Sequence, residues 1–288
     1  MNEKNLDYLK NSLKYLGFGD KLNSVLENAI RQEMPQFKLS LNNSVIPSGV
    51  SKENIQSHDF VRYDLNFSKS KDSDMYFLNN YQATLKKPGI PERDHTFILS
   101  QNNWITAREA YNLLSGRSVN KDLTKEGNTE KVNIWTKLDL DVKDARGNFP
   151  SRYFYPNFGY DLDKAISKYP IKELDDPNKK ADLMGALKKG DMVPGEILMQ
   201  GKKAQIFIAA NPEMKGVDLY DKKFQVIRDY DIWPELAKEK KQTTTATESA
   251  AVTEKKVANN KSSKVTQEQS GKPWDQNNSE EKSKTVGR

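Results

Sequence analysis

Two stretches of this chain, 74 residues apart, carry the same spacing of apolar residues and glycines. Without a gap, Leu113 falls on Leu187, Gly116 on Gly190, Val119 on Val193 and Leu123 on Ile197. Gly127 falls likewise on Gly201, Val132 on Ile206 and Ile134 on Ile208. A shared apolar position is one that faces a core, and a shared glycine is one that closes a turn. The spacing predicts a helix–strand–strand unit present twice, and any fold for the chain must accommodate both copies.

The remaining segments extend this to an α+β architecture. Leu6, Leu9, Leu13 and Leu16 make one helical stripe that ends at Gly17. Leu22, Val25, Leu26, Ala29 and Ile30 make a second, with Asp20 as its candidate cap, so residues 1–34 read as a helical hairpin. Residues 35–103 read as an antiparallel β module. Phe37, Leu39 and Leu41 alternate, 42–57 is a polar loop, and Val61, Tyr63, Leu65 and Phe67 line one strand face. Residues 75–85 are apolar on both faces, as a central strand is, and 96–99 gives a short further strand.

Thr106 followed by Glu109 is a capping box that opens the first unit, residues 104–175 with an aromatic segment. Val132, Ile134, Thr136, Leu138, Leu140 and Val142 share one face of its strand; Asn133, Trp135, Lys137, Asp139 and Asp141 share the other. Asp176 and Pro177 start the helix of the second unit, 176–232, which closes at Gly190. Residues 203–209 and 217–220 form its last hairpin around Asn211 and Pro212. Residues 233–288 hold few large apolar side chains, too few to offset chain entropy, and are expected to be mostly disordered.

Charge and composition exclude several functions. There is no cysteine, which removes disulfides, thiolate metal sites and cysteine nucleophiles. No apolar run is long enough to span a membrane, and Met1 to Asn5 shows no apolar leader, so a cytoplasmic location is expected. The net charge of +6 sets 46 basic against 40 acidic residues, interleaved along most of the chain. That balance permits accessory contact with nucleic acid without demanding it.

No motif specifies a reaction or a cofactor. Phosphate loops and nucleophile elbows are missing, and Gly201-Lys202-Lys203 reads as an ordinary hairpin turn. His58 lies in polar sequence and reads as solvated; His95 shares strand phase with Phe97 and Leu99 and reads as packed. Asp139 with Asp141, and Asp161 with Asp163, stand two apart, which on a strand would put both carboxylates on one face. A solvated strand face explains them without chemistry, and no metal site is expected.

The aromatics are more informative. Trp135 falls in the polar phase of its strand, beside Lys137. Phe149, Tyr153, Phe154, Tyr155, Phe158 and Tyr160 follow, with Arg146 and Arg152 interleaved. On a sheet surface this pattern stacks bases while the guanidinium groups meet phosphate. The plain alternative is that Tyr153 and Tyr155 alternate into a core and the other rings cover it.

The segments YFLNNYQATL (76–85), AREAYNLLSGRSVNKDL (107–123), NFGYDLDKAISKYPIKEL (157–174) and IAANPEMKGVDLYD (208–221) resemble uncharacterised proteins of Bacteroidota carried on conjugative or mobilisable elements. Residues of about 180–221 look like the domain-of-unknown-function family numbered 3945, with its helix, Leu-x-x-Gly, strand, glycine turn and strand ending in Ala-Asn. The resemblance implies a DNA-processing neighbourhood and carries no catalytic residue.

The sequence is thus read as a non-enzymatic accessory protein of a mobile genetic element, contacting a protein partner or nucleic acid and no membrane. Its expected binding residues are Trp135, Lys137, Arg146, Arg152, Tyr153 and Tyr155. An enzyme or enzyme inhibitor using Asp139 and Asp141 is one alternative; a scaffold with a tethering tail is the other.

Overall fold

A leucine stripe at helical spacing needs an apolar surface to cover, and the first four strands supply it. The computed structural model describes residues 1–99, 104–124 and 130–235; the expected tail beyond 235 and Gly127 lie outside these residues. Helices α1 (Glu3–Tyr15) and α2 (Asn23–Arg31) precede β1 (Gln36–Val45), β2 (Asp59–Lys69), β3 (Tyr76–Lys86) and β4 (Arg93–Ile98). The strands form one antiparallel sheet in the order β1-β2-β3-β4, with β3 inside it as its two-faced apolar pattern predicts.

Leu9, Leu13 and Leu16 pack with Val61, Tyr63, Leu65, Phe67, Tyr81 and Leu85 in a first core, each at most 2% exposed. Each fully buried leucine contributes roughly 1.5–3 kcal/mol. The first helix is held at its start as well: Asn2 caps it, and Asn5 exchanges two hydrogen bonds with the backbone of Tyr76, at 2.8 and 3.0 Å.

The chain continues through α3 (Ala107–Leu114), β5 (Val119–Thr124), β6 (Lys131–Leu138), β7 (Ser151–Phe154), α4 (Leu162–Ile166) and α5 (Pro177–Lys188). It then forms β8 (Val193–Met199), β9 (Lys202–Asn211), β10 (Gly216–Tyr220), β11 (Val226–Ile227) and α6 (Asp229–Ile232). Two further antiparallel sheets result, in the orders β5-β6-β7 and β11-β10-β9-β8. Leu162, Ile166, Leu183, Leu187, Ile197, Ile206 and Ile208 are buried in a second core.

The two units correspond at the predicted offset. α3 ends at Leu114 and α5 at Lys188; β5 begins at Val119 and β8 at Val193. Gly116 and Gly190 close the helices with φ of +82° and +81°. The second strands differ in register: Ile134 pairs with Lys121, whereas its counterpart Ile208 pairs with Val193, two residues before the equivalent Gly195. A slip of two preserves the side-chain face, and Ile134 and Ile208 are 1% and 0% exposed. The capping box is in place, with Glu109 accepting from the Thr106 amide at 2.8 Å, and Asp176 caps α5 with Pro177 at its first position.

Several expectations give way. The loop expected at 42–57 is shorter, because β1 pairs with β2 as far as Val45 against Asp59, its outward Asn42 and Ser44 being ordinary for an exposed sheet face. That pairing buries His58, whose Nδ1 lies 3.0 Å from Ser44 Oγ, so it is not solvated. The strand with Trp135 ends at Leu138, leaving Val142 57% exposed and Asp139 and Asp141 in a turn, where Asp139 Oδ1 accepts from the Asp141 amide. Val25 is exposed on α2, and Asp20 meets that helix through its carbonyl, not its side chain.

Candidate nucleic-acid interface

The strand face singled out in the sequence is divided along its length. At its inner end Trp135 is 6% exposed, packed edge-on to Tyr160 at 5.3 Å within the second core beside Phe154. The expectation of an exposed Trp135 is therefore corrected: alternation placed it on the far face, and Tyr160 and the second core cover it there. Phe149 and Phe154 are buried too, whereas Tyr153 and Tyr155, the rings that the plain alternative put in a core, are not.

Tyr153 and Tyr155 do reach the surface, 47% and 46% exposed, with ring centroids 6.4 Å apart. Their neighbouring cations Lys137 and Arg152, a cross-strand pair, point to the opposite face of the sheet and are occupied. Lys137 and Arg152 both pair with Glu213, at 3.0 and 2.5 Å, and these partners hold its carboxyl below the usual carboxylate range. Arg146 sits apart, in the turn after β6, its amide donating to Asp144. The six expected residues thus do not form one basic aromatic patch.

The outer end of the same face lines a groove of about 900 Å³. Lys131 and Asn133 of β6 and Asn120 and Asp122 of β5 form one wall; α1 and Trp104 form a second, and the end of α5 a third. Tyr8 and Tyr15 stand one heptad apart on α1, so both project from its outer side into the groove, 56% and 68% exposed. Tyr15 meets Trp104 edge-on at 6.0 Å. Two large rings are thus left open to water on one side of α1.

Four lysines line the groove: Lys121, Lys131, Lys188 and Lys189. Lys121 is committed to the buried Glu109, at 2.8 Å, which also closes the capping box. Among the described residues the other three form no ion pair. Lys188 and Lys189 end α5, where the negative end of the helix dipole favours cations. Rings for stacking, three lysines and a row of asparagine amides therefore line one concave surface, which fits a flexible anionic chain better than a rigid duplex.

This groove was not foreseen, because its walls come from residues 8–15, 104, 120–124, 131–133 and 185–189, and no local pattern joins them. The one local signal was Tyr8 with Tyr15 on the polar side of the leucine stripe. Among the described residues no cluster of histidine, aspartate or glutamate is arranged to hold a metal. No helix among them is long and apolar enough to cross a membrane. No family model, curated protein or solved structure matches the chain.

Proposed function

We propose that this is a non-enzymatic accessory protein that binds single-stranded nucleic acid in the groove between α1, the β5–β6 hairpin and the end of α5. The observation that carries the reading is the meeting of exposed Tyr8 and Tyr15 with Lys131, Lys188 and Lys189 on one concave wall. Bases stack on such rings whatever their sequence, while ammonium groups track the phosphates.

Anisotropy titration of the full chain against labelled oligo-dT, oligo-U and a hairpin duplex tests the proposal at two salt concentrations. Single strands are expected to bind more tightly than the duplex and to weaken steeply with salt. No binding to either single strand at low salt sinks the reading.

A further inference from the structure

A second cleft, of about 530 Å³, lies between the β1–β2 end of the first sheet, α3 and the turn after α5. One of its walls is a continuous polar chain. Lys87 and the Tyr111 hydroxyl both reach Asp59 Oδ2, at 3.2 and 2.8 Å, and the Asp59 side chain is 1% exposed. The Arg117 guanidinium lies 5.1 Å above the Tyr111 ring and donates to Asn112 Oδ1 at 2.6 Å. Asn112 donates in turn to Asp191, at 2.8 Å, which also accepts from Arg108 Nε at 2.7 Å.

Paired charges on the wall of a cleft are expensive to desolvate, and a fold alone would be served as well by apolar packing. The cations outnumber the acids: Lys87, Arg108 and Arg117 against Asp59 and Asp191. Arg108 is the informative one. It stands in the first turn of α3, where the helix dipole opposes a cation. Asp191 takes its Nε and raises its pKa, while the side chain remains 68% exposed with both Nη groups uncommitted among the described residues. A guanidinium aimed this way presents the fork that carboxylate and phosphate oxygens fit. Across the cleft, Ile46 and Phe224 offer an apolar surface.

We propose that this cleft binds a small organic anion, its phosphate or carboxylate oxygens on Arg108 and Arg117 and its apolar part against Ile46 and Phe224. The site is separate from the groove between α1 and the β5–β6 hairpin, so either can stand without the other.

Calorimetric titration of the full chain with phenyl phosphate, benzoate and inorganic phosphate at matched ionic strength decides it. Saturable binding of one equivalent of phenyl phosphate or benzoate, tighter than inorganic phosphate, is expected, and the preferred probe identifies the anion. Arg108→Gln should weaken it by about tenfold or more, the worth of one charge-assisted pair. Arg62→Gln, on the open face of the first sheet, should leave it unchanged. Should Arg108→Gln fail to melt cooperatively, Phe224→Ala reads the apolar half and should bring phenyl phosphate down to the level of inorganic phosphate. Absence of saturable binding with all three probes, or undiminished binding in a folded Arg108→Gln protein, overturns the proposal.

Discussion

Arg117 Nε donates to the carbonyl oxygen of Gly190 at 2.8 Å, joining the exit turn of the first helix–strand–strand unit to the exit turn of the second. Asn112 reinforces the join by donating to the Lys189 carbonyl at 2.6 Å. The two equivalent turns thus meet each other, and Gly190 lies in the join. A Cβ built there would lie 2.8 Å from the Ser118 carbonyl oxygen and 3.0 Å from Val119 Cγ2.

Gly190→Ala should therefore cost more than the positive φ alone. Left-handed backbone costs a non-glycine residue about 1–2 kcal/mol, and the contact with Ser118 raises the total to roughly 2–4 kcal/mol. Gly201, in the β8–β9 turn, is the control: its φ is +74° but no atom lies within 4 Å of the added carbon. Gly201→Ala should cost about 1 kcal/mol. Urea unfolding of both variants checks the difference; equal losses would mean that the seam yields freely.

Trp135 and Tyr153 separate core from surface on adjacent strands. Trp135→Ala removes a 6% exposed ring from the second core and should cost about 3–5 kcal/mol. Tyr153→Ala, with the ring 47% exposed, should stay within about 0.5 kcal/mol of the parent. Thermal melts of the two variants measure it, and a mild Trp135→Ala would restore that ring to the surface.

How much of this could be read from the chain depended on the range of the signal. The leucine stripe of α1, the Thr106–Glu109 box, the Asp176–Pro177 start and the glycine exits are local, and they stand as expected, whereas Val25 and Asp20 of the second stripe do not. Alternation gave the phase of Trp135 correctly but is silent on what covers a face, which here is Tyr160 and the second core, built from residues between 154 and 232. The misreading of His58 has the same root: its neighbour Ser44 belongs to a partner strand. Both grooves escaped notice because lysines and rings from four distant segments meet only once the sheets are assembled.

His95 makes stability depend on pH. Its ring is 9% exposed, and Nδ1 accepts the Phe149 amide at 3.2 Å. Burial lowers its pKa from 6.5 to about 4, against the opposing pull of Asp144 and Asp94. The neutral ring is thus favoured in the folded state, so its contribution is complete above pH 6.5 and falls away as the pH drops towards 4. The loss attributable to this residue approaches about 3 kcal/mol at the lower end. His95→Gln, which does not titrate, should flatten that part of the stability profile in urea titrations between neutral pH and pH 4. Parallel profiles would assign the acid loss to carboxylates.

The groove on the outer end of β6 predicts two separable losses. Tyr15→Ala removes a 68% exposed ring and leaves every lysine in place. It should weaken oligo-dT binding by about 1–3 kcal/mol, the worth of one stacked base, while the salt dependence keeps its slope. Replacing Lys188 and Lys189 together by alanine should instead reduce that slope by about 1.4, two phosphate contacts at roughly 0.7 each on a single strand. Lys137→Ala, whose charge is already committed to Glu213, should change neither quantity. Anisotropy titrations across a salt series measure all three. If the Lys137 variant alters the slope while the Lys188–Lys189 variant does not, the strand runs over the Lys137–Arg152 face and not through the groove.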